Sequence, residues 1–302
     1  IQSNESILAY YEVRSNYCNC NPEIFSLKGE NAMGTNFFIP GQNYLDNYYD
    51  FSPDPYNSFD IIATEDDTEI IIIPSNNASG INAGDTVTIN LNMGQTYSVR
   101  AQSQNAEFHL GGSEVYSDKP ISITMKDDLL AGFPFLSTCK DLGGDQIVPI
   151  ERLGSDYILI NSFLDGPGDQ AFILAIENNT VLYANNNQIA TLNKGEIHQI
   201  SMGNANSMFV QAGKPITVLQ MSGNGCEVGL AQLPHIECTG SQNISLTRST
   251  NELFVVNLIV PSEGIGSFIV NGNSNFLNTS DFEFVEGTNE EWSFIQASFN
   301  NQ

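Results

Sequence analysis

Apolar and polar residues alternate in short runs along nearly the whole chain, and the runs stop at Gly, Pro, Asn or Asp. Residues 86–91, 96–100 and 121–125 keep a period of two, which turns one face of an extended segment toward a core. Residues 70–73 form an unbroken Ile run closed by Pro74-Ser75-Asn76-Asn77. The pattern returns at 172–176, 181–184, 188–192, 208–210 and 216–219. Between these runs, Asn185-Asn186-Asn187 and Asn193-Lys194-Gly195 supply residues that tolerate the positive φ of tight turns. No stretch keeps a 3.6-residue apolar period over three turns. The pattern predicts an all-β chain with almost no helix.

A longer regularity lies over the strands. Ala63-Thr64-Glu65-Asp66-Asp67-Thr68, Leu91-Asn92-Met93-Gly94 and Lys119-Pro120 are matched in the same order by Ala175-Ile176-Glu177-Asn178-Asn179-Thr180, Leu192-Asn193-Lys194-Gly195 and Lys214-Pro215. Three ordered matches indicate a duplicated supersecondary unit. The Glu-x-x-Thr and Leu-Asn-x-Gly segments read as turns, and Lys-Pro reads as a strand entrance where the missing amide hydrogen costs nothing. These are scaffold residues. Each copy has a lead-in, Gly34-Thr35-Asn36-Phe37-Phe38-Ile39-Pro40 and then Gln146-Ile147-Val148-Pro149 with Gly154 and Tyr157. A third lead-in, Ala231-Gln232-Leu233-Pro234, precedes apolar runs at 254–260 and 267–270, but no third Lys-Pro follows. The expected divisions are an amino-terminal segment (1–29), a first unit (30–128), a second (129–225) and an incomplete third (226–302). The units are expected to be antiparallel β-sandwiches side by side, with a propeller-like ring as the alternative. An unfinished third copy suggests the front of a longer polypeptide with further domains.

Composition narrows the partners. Lys+Arg is 10 against Asp+Glu 35, a formal charge of -25, which excludes nucleic acid as a ligand and disfavours anionic membranes. No apolar run is long enough to span a bilayer, so no direct membrane insertion is expected. About 35 asparagines give the surface a neutral-polar character common outside cells. The chain opens on Ile1 without a leader, as a processed secreted protein would. Cysteines stand at 18, 20, 139, 226 and 238. Cys226 and Cys238 bracket a loop of the size small disulfides close, and Cys139 is a candidate partner for Cys18 or Cys20. Their spacing is not that of a zinc site. A disulfide would place the chain in an oxidising compartment.

Catalytic signatures are missing: His109, His198 and His235 have no carboxylate at motif spacing, and no nucleophile elbow or phosphate loop occurs. His109 and His198 fall in expected strands. Loop carboxylates offer a candidate Ca²⁺ site, first at Asp127-Asp128 and at Asp165-Gly166-Pro167-Gly168-Asp169, although no EF-hand spacing is present. The plain reading of these acids is solvated turns. Tyr44, Tyr48, Tyr49, Phe51 and Tyr56 cluster in a loop rich in Asn, Asp and Pro. Rings beside amides and acids suit contact with a glycan or a protein ligand; the alternative is that they pack on the first unit.

The lead-in at 34–40, the Gln-x-x-Pro segment at 146–149 and its counterpart at 232–234, the Gly154/Tyr157 pair, the Glu-x-x-Thr turns and the Lys-Pro steps together resemble the amino-terminal domain family of IgGFc-binding protein, over roughly residues 30–300. The resemblance implies a secreted or cell-surface adhesion and recognition module without catalysis. Similar domains open large surface proteins of Bacteroidetes-type bacteria, so further domains are implied as well. It does not imply Fc binding by this chain. The rival readings are a polysaccharide hydrolase using paired carboxylates and a structural spacer.

Overall fold

The computed structural model describes residues 7–13, 23–48, 50–131, 139–238, 240, 243–245 and 254–299. Its regular structure is β, interrupted only by 3₁₀ turns. A short antiparallel pair, β1 (Tyr10–Val13) and β2 (Glu23–Ser26), comes first. The first copy comprises β3 (Met33–Phe38), β4 (Asp46–Asn47), β5 (Asn57–Ala63), β6 (Thr68–Ile73), β7 (Val87–Leu91), β8 (Thr96–Arg100), β9 (Glu114–Ala131) and β10 (Asp141–Gln146). The second repeats it with β11 (Gly154–Ile160), β12 (Phe163–Leu164), β13 (Gln170–Ala175), β14 (Thr180–Ala184), β15 (Asn187–Leu192), β16 (Ile197–Ser201), β17 (Ser207–Gly225) and β18 (Glu227–Gln232).

One long strand organises each copy. β9 pairs with β6 over 114–117 and with β5 over 121–127, while β3 and β10 lie on its other edge. It therefore belongs to two four-stranded faces, β7-β6-β9-β3 and β8-β5-β9-β10. These close around Phe37, Phe59, Ile61, Ile70, Ile72, Ile121 and Ile123, all fully buried. β17 does the same in the second copy, meeting β14 over 210–212 and β13 over 216–221, with β11 and β18 opposite. These are sandwich-like units rather than propeller blades.

The Lys-Pro steps lie at these bends, inside β9 and β17, and not at strand entrances. Residues 118–120 and 213–215 have no partner on the flanking strands β5 and β6 or β13 and β14, so the prolines remove no ladder bond from them. The other landmarks converge on the same corner. Lys119 Nζ donates to the carbonyls of Asp66 and Asp67, and Lys214 Nζ donates to Asn178 O at 2.7 Å. Thr68 and Thr180, both fully buried, each donate to the Glu carbonyl three residues back at 2.8 Å. The Leu-Asn-x-Gly turns close onto this corner: Gly94 N–H reaches Ala63 O and Gly195 N–H reaches Ala175 O, at 2.9 and 2.8 Å.

The copies meet through β10 and β18. Asp141 and Asp145 accept backbone N–H groups of Val228 and Gln232 at 2.9 and 2.8 Å. Phe172, Leu219, Met221 and Leu230 of the second copy join the first copy's core around Met125 and Leu130. Each copy runs beyond its expected end, because residue 128 falls inside β9 and because β10 and β18 complete the sheets. The last segment forms a three-stranded sheet of β19 (Phe254–Pro261), β20 (Glu283–Phe284) and β21 (Trp292–Phe299). Its Val285 and Phe294 bury Ile158, Ile160 and Phe209 on the outside of the second copy.

Candidate functional site

The loop between β3 and β5 carries the expected aromatic cluster, and a buried polar knot holds its ends. Gln42 is completely buried; its Oε1 accepts the N–H groups of Tyr44 and Leu45 at 2.8 and 2.7 Å, and its Nε2 donates to Leu45 O at 2.8 Å. Asp127, also completely buried, receives Asn57 Nδ2 at 3.0 Å and lies 3.4 Å from amide nitrogens of Asn47 and Gln42. His109 Nδ1 stands 3.4 Å from Asp127 and 3.0 Å from Gln42 Nε2. The knot's amide donors are satisfied, while Asn47 Oδ1 and His109 Nε2 are buried without a hydrogen-bond partner among the described residues. The loop is thus pinned at 42, 47 and 57.

Of the rings, Tyr44 packs against the core. Tyr48 lies under Lys140 Nζ, 3.4 Å from the ring centroid, and Tyr56 under the Arg100 guanidinium at 4.5 Å. Both are cation–π distances. Phe51 is 51% exposed between them in sequence. Tyr49 lies outside the described residues. Two of the chain's 10 cationic side chains therefore sit on rings of this one loop.

The candidate Ca²⁺ residues are not gathered into one place. Asp127 and Asp128 lie in β9, not in a loop, and successive strand residues face opposite sides. Asp127 faces amide donors, whereas Asp128 is partly buried and burial raises its pKa. Asp169 is fully buried in the second copy, accepting Ser162 Oγ and, at 2.6 Å, Gln220 Nε2. Asp165 is exposed and its backbone N–H bonds Gly225 O at 2.8 Å. Among the described residues the cysteine pair 139 and 226 with Glu227 is the one group of three potential metal ligands that converges, and there the sulfurs are bonded to each other.

That disulfide departs from the expected pairings. Cys139 bonds Cys226, with Cα atoms 5.7 Å apart, and Cys238 is free and exposed. The core contact between the copies brings the segment after β9 to the β17–β18 turn, so Cys226 finds a partner distant in sequence before its neighbour at 238. Cys18 lies outside the described residues. Of the histidines, His109 follows a 3₁₀ turn (Ala106–Phe108) rather than lying in a strand, His198 pairs with Ile173 in β16, and His235 packs edge-on to Tyr157 with centroids 6.4 Å apart.

A second polar group was not legible in the sequence because its members come from three segments. A cavity of about 1150 Å³ opens between β2, β18 and β19, lined among others by Ile24, Lys28, Asp145, Leu230 and Phe299. Lys28 Nζ is 2.5 Å from Asp145 Oδ2. Beside them burial pushes Glu23 up to about 8, and burial followed by a Glu227 contact pushes Asp141 up to about 7.

Fold and rim together define a duplicated β-sandwich that displays side chains on pinned loops. The chain matches the family described as IgGFc binding protein over residues 25–302 and belongs to it. Comparison with curated proteins and with solved structures returns no match.

Proposed function

We propose that the chain is a non-enzymatic extracellular recognition module that binds a glycan or protein ligand through the 43–57 loop of its first copy. The observation that carries this reading is the pinned aromatic loop: Tyr48 and Tyr56 lie under cations, and Phe51, between them in sequence, is exposed. Rings with two rotatable bonds give contact area at low entropic cost, and the buried knot at Gln42 and Asp127 lowers that cost further. Family membership supports a binding role, and the Cys139–Cys226 disulfide suits a secreted or cell-surface location. A module of this kind works as one domain of a larger surface protein.

The test is binding of the purified chain to a glycan array and to immobilised extracellular proteins. A retained ligand should lose about tenfold in affinity on Phe51→Ala or Tyr56→Ala, the range of a single hot-spot ring. Turnover of a polysaccharide without retained binding would instead support a hydrolase and sink this reading.

A further inference from the structure

Lys28 follows the amino-terminal strand pair and lays its side chain against β10. Its Nζ touches Asp145 Oδ2 at 2.5 Å and also donates to the Gln146 carbonyl, while its own backbone N–H is held by Gln146 Oε1. The Lys28 side chain is 20% exposed and that of Asp145 5%. Asp145 cannot swing away, because Oδ2 also accepts the Gln232 backbone N–H at 2.8 Å. That bond draws electron density from Cγ. A third ionisable group stands near: Glu23 has a buried Oε2 without a hydrogen-bond partner among the described residues and lies within electrostatic reach of Asp145.

The plain reading of a lysine on an aspartate is an ion pair. Burial works against the ionic form here, lowering Lys28 and raising Asp145, so both shift toward a neutral amine and a neutral acid. Glu23, pushed up to about 8, holds a proton at neutral pH. An amine and a carboxyl group held in contact at a largely buried position, each pushed by burial toward its neutral form, are set up for condensation. Well-oriented intramolecular partners react as if at about 10⁵–10⁸ M.

We propose that Lys28 and Asp145 join through an amide bond between Nζ and Cγ, which ties the amino-terminal segment covalently to the first sandwich. The amine lone pair attacks Cγ, the Nζ–Cγ bond forms and one Cγ–O bond breaks. The departing oxygen leaves as water, carrying the proton of the carboxylic acid and one proton from Nζ. That second proton passes from nitrogen to the departing oxygen directly, since Nζ and Oδ2 are in contact. Atoms balance without oxidant or cofactor, and the adjoining cavity gives the water a way out.

The test is the intact mass of the full chain after reduction and denaturation, followed by proteolysis and tandem mass spectrometry. The wild-type chain should be lighter than its translated mass by one water and should give one branched peptide joining Lys28 to Asp145. Lys28→Arg keeps the charge and should show full mass with no branched peptide. Its circular dichroism should be unchanged and its Cys139–Cys226 bond intact. A folded wild-type chain of full mass, or a water lost at any other position, overturns the proposal. None of these outcomes depends on what the aromatic rim binds.

Discussion

Asp127 shows how much one buried carboxylate can organise. Amide nitrogens of Asn57, Asn47 and Gln42 and the ring of His109 all point at it, so truncation leaves several buried donors without acceptors. Asp127→Ala should cost about 3 kcal/mol, read from urea unfolding. Asp66 is the control: it accepts Met93 N–H at 3.0 Å on an exposed turn, and Asp66→Ala should cost about 0.5 kcal/mol or less. The sequence marked Asp127 only as a candidate cation ligand; its structural role stayed hidden because its partners at 42, 47, 57 and 109 are joined to it only by tertiary packing. Titration adds a second residue-scale prediction. Glu23 and Asp141 are raised to about 8 and about 7 from 4.5 and 3.8, so the folded chain holds protons that the unfolded chain has lost. Their contribution is complete below pH ~4 and is lost as pH rises through about 7 to 8. Stability measured by thermal melting should therefore fall between pH 5 and 8, taking these as approximate limits, and Asp141→Asn should flatten that slope.

At the scale of elements, period-two runs and turn residues located β6–β8, β13–β15 and β19, because those signals are local, but they also marked 267–270, which forms no strand, and passed over β21, which does. The 18-residue β9 was harder, since Lys119-Pro120 breaks its pattern and reads as a boundary when it is a bend between two faces of one sheet. The recurring lead-in glycine shows the same limit. A Cβ on Gly34 would stand 2.4 Å from Pro149 Cβ, and one on Gly154 would stand 2.4 Å from the His235 ring. The glycine motif and the Gln-x-x-Pro motif are therefore two halves of one close packing, with His235 replacing the proline in the second copy. Sequence order alone could not pair them, because each glycine meets the segment that follows its own copy. Gly154→Ala should destabilise by about 2 kcal/mol, since the ring and the β11 backbone cannot both keep their places. Thr180→Val, which keeps the shape but loses the bond to Glu177 O, should cost about 1 kcal/mol. Both are measurable by chemical denaturation, and a Gly154→Ala chain as stable as wild type would contradict the packing described.

On the scale of the molecule, the two copies form one body because each gives up an outer face. Phe172, Leu219, Met221 and Leu230 would be exposed on an isolated second copy, and Asp141 and Asp145 would lose the β18 amides they hold. The disulfide crosses this same contact, closing a separation of 87 residues. That explains why spacing favoured the wrong partner: Cys226 is close to Cys238 along the chain, but the contact between copies fixes Cys139 beside it. A bond that spans so many residues removes much freedom from the unfolded chain, and its loss should cost about 4 kcal/mol. The double variant Cys139→Ser/Cys226→Ser should melt well below wild type, and reducing agent should lower the wild-type transition toward that of the variant. Cys238→Ser, at an exposed and unbonded thiol, should change stability by about 0.5 kcal/mol or less. If the bond acts on the unfolded chain as this account requires, the double variant should show a steeper dependence of unfolding on urea, because its denatured state expands further than that of the cross-linked chain.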